Sequence, residues 1–372
     1  MEFKNNNTIV NLSNSILENF GVKSFHNTIP EIDNLLKGHK KVVVMLFDGM
    51  GTFIRNKHQK ECSFIRSGKV HTMQSTFPPT TVAATTAFLT GKFPIETGWM
   101  SWIQYFEEYK RNICVFRNTD SKTDECIRPI EQGYILGDIC PTKKMFELIN
   151  ESSGKETAIC LGYNAIVKKG LFKDFKNRIL IHNALKDKDE AFVYYYDMNP
   201  DHMIHGYGTT SKKVSKQIKK IDNFVKKTVN KEKDTLFIVI ADHGLIDLKY
   251  LFIDDYPDLM STLMVDKPMS LEKRCPTFFV KEGKNEEFKE LFVKYFGEHF
   301  ELYTKDEALS QHVYGDGEQH PQTKQFIGDF VAISKDESAI ITRDDECVKY
   351  LVASHAGGTE DEMSIDISVF NA

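Results

Sequence analysis

Six consecutive apolar residues, Val42-Val43-Val44-Met45-Leu46-Phe47, follow Lys40-Lys41 and stop at Asp48-Gly49-Met50-Gly51. An uninterrupted apolar run of that length suits a strand buried on both faces, as in a parallel sheet, and the Asp-Gly text closes it with a turn. The same grammar returns along the chain. Ala191-Phe192-Val193-Tyr194-Tyr195-Tyr196 runs into Asp197-Met198-Asn199-Pro200-Asp201. Leu236-Phe237-Ile238-Val239-Ile240 runs into Ala241-Asp242-His243-Gly244, and Tyr350-Leu351-Val352-Ala353 into Ser354-His355-Ala356-Gly357-Gly358. Stretches of helical period lie between these runs, residues 209–230 most clearly, and residues 8–36 predict one or two leading helices. The alternation predicts an α/β fold, a three-layer α/β/α sandwich around a mostly parallel central sheet.

Residues 246–327 lose this regularity. Asp, Pro and Gly breaks surround one helical piece at Asn285–Phe296, which predicts a small inserted cap within a single domain spanning residues 1–372. Strand character returns at Phe326-Ile327-Gly328-Asp329-Phe330-Val331-Ala332-Ile333.

In sheets of this kind ligands bind outside the carboxyl ends of the strands. Asp48, Asp201, Asp242, His243 and His355 all stand just after predicted strands. Asp201 and His205 are four apart, which on a helical turn puts a carboxylate and an imidazole on one face, a donor pair suited to Zn²⁺ or a related ion. His202, at a different offset, points elsewhere. Each piece alone has an ordinary reading: a strand-closing turn, an N-cap, or a loop histidine before a helix opened by the capping box Thr359-Glu360-Asp361-Glu362. Residues 75–91 predict a buried helix, opened by Thr80 and Thr81 after two prolines and ended by Gly91. A hydroxyl there is a plain cap, or it sits where free N–H groups and the helix dipole favour a phosphate. A divalent ion on a Thr oxygen would favour the alkoxide, and a second would stabilise the leaving oxygen of an in-line displacement.

The formal net charge of -5 gives no reason to expect a nucleic acid duplex or an anionic membrane as partner. An anionic substrate then needs a local positive centre, and a metal site is one way to supply it. No apolar run reaches the length of a membrane span, and the first twenty residues do not read as a secretory signal. The seven cysteines (62, 114, 126, 140, 160, 275, 347) are scattered without a C-x-x-C pair, which predicts reduced thiols and a cytoplasmic protein.

The ordered set Phe47-Asp48-Gly49-Met50-Gly51, Phe77-Pro78-Pro79-Thr80-Thr81 with Thr90-Gly91 and Pro94, Asp201 to His205, Ala241-Asp242-His243-Gly244 and Ser354-His355-Ala356-Gly357-Gly358 resembles the alkaline phosphatase superfamily. Within it, the chain resembles the type I phosphodiesterase/nucleotide pyrophosphatase family, with prokaryotic-type text at Gly98 to Tyr105 and at Ile327-Gly328-Asp329. The likeness runs from about residue 8 to 370. It implies one metal on Asp201, His205 and His355, and another on Asp48, Asp242, His243 and Thr81. Zn²⁺ is the usual ion, and Mn²⁺ accepts the same donors. The family nucleophile lies nine residues before the Thr of the Thr-Gly pair, which selects Thr81 over Thr80. The resemblance thus implies attack by Thr81, a phospho-threonyl intermediate and its hydrolysis, on a small phosphorylated substrate such as a nucleotide. Phosphate diesters and nucleotide pyrophosphate bonds are the first expectation. A phosphomonoesterase or phosphonate hydrolase on the same core is the alternative, and a metal-binding protein without turnover the remaining reading. The chain departs from the family in two places. Thr97-Gly98 stands where His-Gly is common, and Met100-Ser101-Trp102 stands where nucleotide pyrophosphatases place an Asn that holds a phosphate oxygen. The Cys-x-Pro-x-Arg motif of sulfatases does not occur.

Overall fold

The computed structural model describes residue 3 and residues 5–162, 173–343 and 351–372. A six-stranded sheet forms its centre, in the order Lys69–Gln74, Ser364–Asn371, Leu236–Ile240, Lys41–Phe47, Ala191–Asp197, Ala158–Cys160. The last four are mutually parallel; Ser364–Asn371 runs antiparallel to both its neighbours, so Lys69–Gln74 at the edge points the same way as the four. The mostly parallel α/β reading therefore holds. Val42 to Phe47 are fully buried, since a central strand is covered on both faces. The register aligns the strand ends. Phe47 pairs with Asp197 and Leu46 with Ile240, so three adjacent strands end together.

The expected helices form at Ile9–Asn19, Pro30–Leu36 and Lys212–Val229. The last buries Val214, Ile218, Ile221 and Val225 along one stripe, the 3.6-residue period made physical. A second, antiparallel sheet has the order Ser270–Glu272, Cys275–Phe278, Phe330–Ser334, Phe300–Thr304. Beside it the helix Asn285–Phe296 buries Phe288, Phe292 and Phe296 at four-residue spacing. No helix among the described residues is long and apolar enough to cross a membrane. The six described cysteines are free, and Cys347 lies outside the described residues.

Three expectations need correction. The run before His355 is not a buried strand of the central sheet. Tyr350 lies outside the described residues, Val352 is 47% exposed, and only Ala353–Ser354 is extended, paired antiparallel with Ile246–Asp247. Four apolar residues are too few to tell a core strand from a short rung beside the sheet. The run from Phe326 is strand only from Phe330, because Phe326 closes a short helix, Thr323–Phe326. The helix opened by Thr359 lasts only from Glu360 to Met363 before the Ser364–Asn371 strand begins.

That strand carries a buried ion cluster. Asp366 accepts from Lys69 Nζ at 2.7 Å and Thr72 Oγ1 at 2.8 Å, and its charge faces the fully buried Arg55 guanidinium. Burial pushes the Asp366 carboxyl up, but Lys69, Arg55 and Thr72 together hold it below its ordinary value. Depressed in this way, it contributes stability above the unfolded value of about 4 that is lost as pH falls through the native one. Asp366→Asn should cost about 2 kcal/mol at pH 7, because the carboxylate's charge-assisted bonds to Lys69 and Thr72 and its field on the buried Arg55 are lost. Urea midpoints of the two proteins should converge below about pH 4. A difference independent of pH would refute the assignment.

Candidate active site and metal centre

The aligned ends of the three parallel strands bring the acidic residues together. The Asp48 amide donates to the Asp197 carbonyl, and the Asp201 amide to the Asp48 carbonyl, each at 3.0 Å. Asp242 Oδ1 accepts from the Gly49 and His243 amides at 3.0 Å. Gly49 has φ +70, and a Cβ on it would strike Leu245 and come within 2.9 Å of Asp201 Cβ. The Asp-Gly turn is thus needed for both its backbone and its space. Asp201 opens the helix Asp201–Tyr207, and His205, one turn on, places Nε2 3.2 Å from Asp201 Oδ1. His355 arrives from the small Ala353–Ser354 rung. Its Nε2 lies 3.9 Å from Asp201 Oδ1, and its ring centroid is 4.0 Å from that of His243.

Two donor groups result. Asp201, His205 and His355 form one, and Asp48, Asp201 and His243 the other, with the donor atoms of each within 4.8 Å of one another. Asp242 adjoins the second, its Oδ2 3.6 Å from His243 Nε2. All six sequence-selected side chains therefore meet, with Asp201 between the two groups.

The seventh, Thr81, is the first residue of the helix Thr81–Thr90, which ends at Gly91 in a left-handed conformation. Its Oγ1 lies 3.3 Å from Asp48 Oδ2, 3.4 Å from Asp48 Oδ1 and 3.3 Å from His243 Nε2. Thr80, the N-cap, makes no side-chain cap bond. Its hydroxyl donates instead to Glu272 Oε1 at 3.0 Å. The two threonines, equivalent as text, face different partners.

The donor set fits divalent cations. Asp242 Oδ2 and Asp201 Oδ1 are buried without a hydrogen-bond partner, a costly state for carboxylates unless a cation takes the lone pairs. Burial, then Asp242 and Asp201, push the Asp48 carboxyl well above its ordinary value, and burial raises Asp242. Burial also holds the His355 imidazole well below its ordinary value, with His243 and His205 adding to the effect. Such crowding of like groups is what two cations would relieve. Two of the three histidines anchor the ring nitrogen that points away from the cluster, as metal-binding histidines require. His205 Nδ1 sits 2.7 Å from the Ala353 carbonyl and His243 Nδ1 3.0 Å from that of Gly244.

Sequence reasoning missed two neighbours. The Tyr196 phenol donates to Asp48 Oδ2, and burial followed by Asp48 keeps it protonated far above its ordinary value. As one tyrosine of three ending an apolar strand, it carried no separate signal. Glu272 is the other. Its Oε1 accepts from Ser101 Oγ at 3.1 Å and the Trp102 amide at 3.0 Å, besides Thr80. These are the residues standing where an Asn was missing, so a carboxylate from the second sheet organises that corner.

Comparison with known proteins agrees with this fold. The structure is similar to murine ectonucleotide pyrophosphatase/phosphodiesterase 5, with TM-score 0.66 and 16% identity over 89% of this chain and 88% of that one. It is similar to the human protein of the same name, with TM-score 0.64 and 17% identity over 89% and 88%. It also matches an inactive threonine-to-alanine variant of the murine protein in complex with AMP, with TM-score 0.64 and 16% identity over 88% and 87%. No curated protein matches in sequence. The family model for type I phosphodiesterase/nucleotide pyrophosphatase matches residues 42–358. On that match the chain belongs to the type I phosphodiesterase/nucleotide pyrophosphatase family of the alkaline phosphatase superfamily, two-metal hydrolases of phosphoric ester bonds.

Proposed function

We propose that this hydrolase cleaves phosphate diesters or nucleotide pyrophosphate bonds through a phospho-threonine intermediate on Thr81. The placement of Thr81 Oγ1 against both Asp48 and His243 at a helix opening carries the reading. The residues that would hold one ion are Asp201, His205 and His355, and those for the other Asp48, Asp242, His243 and Thr81. Bound there, the ions supply Lewis acidity and neutralise charge on the entering and leaving oxygens. Three imidazoles among the donors favour Zn²⁺, with Mn²⁺ the alternative.

Thr81 Oγ attacks phosphorus, the Oγ–P bond forms, and the bond to the leaving oxygen breaks. Water then attacks the phospho-threonine, releases the phosphate product and restores the hydroxyl. The amides at the start of the Thr81–Thr90 helix face the phosphate, and the helix dipole favours its charge. Tyr196 fixes the orientation of Asp48 by hydrogen bond.

A nucleotide substrate is supported by the murine relative's complex with AMP, and the threonine role by that relative's inactive alanine variant. We also propose that residues 246–327, whose Glu272 reaches the Thr80 hydroxyl, form the inserted cap over the site. The six free thiols suit a reducing, cytoplasmic setting.

Rates on bis-p-nitrophenyl phosphate and p-nitrophenyl phosphate test the substrate class. The diester should be preferred at least about tenfold in kcat/KM, a difference in transition-state binding. Preference for the monoester would overturn the diesterase reading and favour the phosphomonoesterase.

A further inference from the structure

The text Thr359-Glu360-Asp361-Glu362 reads as a capping box, yet the Glu362 carboxylate reaches beyond it. Oε1 accepts from the Gly357 amide at 2.8 Å and from Arg274 Nε at 2.6 Å. Oε2 accepts from Arg274 Nη2 at 2.7 Å and from the Thr359 hydroxyl at 2.6 Å. The backbone carbonyl of the same residue accepts from the Gly244 amide at 2.8 Å. Gly357 follows His355 by two residues, and Gly244 follows His243 directly. One residue therefore grips both loops that present imidazoles to the two candidate half-sites.

The grip is tight. A Cβ on Gly357 would come within 2.5 Å of Arg274 Nη2 and 2.7 Å of Glu362 Oε2, and one on Gly244 would overlap the Asp361 carbonyl. Arg274 and Glu362 are both fully buried. Two further Arg274 N–H groups go to the carbonyls of Ser338 at 2.7 Å and Asp336 at 2.6 Å. A bidentate guanidinium–carboxylate pair of this kind fixes direction as well as distance. Arg274 thus fastens Glu362 to the second sheet, from the same hairpin whose Glu272 holds Thr80.

We propose that Glu362, held by Arg274, is a positioning residue that sets the separation of the two metal half-sites and couples their affinities. The inference rests on the two-metal reading of the site. An ion pair that only stabilised the fold would lower the urea midpoint and leave metal affinity in the folded protein untouched. A positioning residue must change the affinity itself.

Glu362→Gln and Arg274→Lys separate the two. The first removes the charge at constant shape, and the second keeps the charge but loses the fork. Asp366→Asn, whose carboxylate meets Lys69 and Thr72 and none of the candidate ligands, serves as a control for destabilisation. Zn²⁺ affinity is read by competition with a chromophoric chelator, and geometry by the visible spectrum of the Co²⁺-loaded protein, in samples folded by circular dichroism. Both site variants should bind the two ions at least about tenfold more weakly and shift the Co²⁺ bands, the size expected of outer-shell changes. Asp366→Asn should keep wild-type affinity and spectrum despite its lower urea midpoint. Affinities within twofold of wild type and an unchanged spectrum in the site variants would overturn the proposal. If Glu362→Gln does not fold, Arg274→Lys alone decides. A wild-type protein that binds no ion would instead refute the two-metal reading, so the two failures are distinguishable.

Discussion

Thr81→Ala should abolish turnover while both ions stay bound. The alanine removes the hydroxyl that lies within 3.4 Å of both Asp48 and His243, and with it the oxygen that would form the covalent intermediate. Loss of a nucleophile costs roughly 10⁴-fold or more in kcat, since binding and electrostatics sustain only residual catalysis. Six other donors remain, and alanine suits the first turn of a helix. Metal content should therefore stay at the wild-type level. Thr80→Ala is the matched comparison. It removes a hydroxyl one residue away that donates to Glu272, so kcat should fall by no more than about tenfold, the cost of one hydrogen bond. The measurement is kcat on bis-p-nitrophenyl phosphate with metal stoichiometry on the same samples. Activity above a tenth of wild type in Thr81→Ala would exclude it as nucleophile.

Thr80 and Thr81 mark where reading the chain as text stops. Both open the same helix, and local pattern treats them alike. Their difference lies in partners 33 and 192 residues away in the chain. The strands ending at Phe47, Asp197 and Ile240 were legible because burial on both faces leaves an unbroken apolar run, and their parallel ends then align the acidic residues. The Ser364–Asn371 strand was missed for the opposite reason. Asp366 and Ser368 interrupt its apolar text, although both are buried, because Lys69 pairs with the first and the buried Arg55 bonds the second. His355 was legible as a ligand yet misplaced in the fold. Its position depends on a two-residue rung and on the Glu362 carboxylate, neither of which has a periodic signature. Tyr196 and Glu272 escaped because their roles arise only where two sheets and a turn converge.

Removing the ions should stop turnover and also change how stability depends on pH. At ion concentrations about a thousandfold above Kd, each site contributes about 4 kcal/mol through binding to the folded state. A chelator-treated sample should lose activity and melt lower, and Zn²⁺ should restore both. The pH dependence arises from the crowded ligands. In the metal-free chain Asp48 is raised well above its ordinary value by burial, then by Asp242 and Asp201. Burial pulls His205 down, but Asp201 outweighs it and raises the imidazole. A raised native value means the folded chain keeps protons that the unfolded chain has released, so stability falls as pH rises through that value. His355 runs the other way. Burial first, then His243 and His205, lower it, so its contribution is complete above about pH 6.5 and lost below. Above about pH 6.5 the His355 contribution is complete, and the declining His205 contribution acts in the metal-free protein. Metal-bound ligands are already deprotonated, and binding strengthens with pH. The gap in Tm between loaded and metal-free protein should therefore widen over that range. A gap that is constant or narrows would show that these carboxylates and imidazoles do not hold the ions.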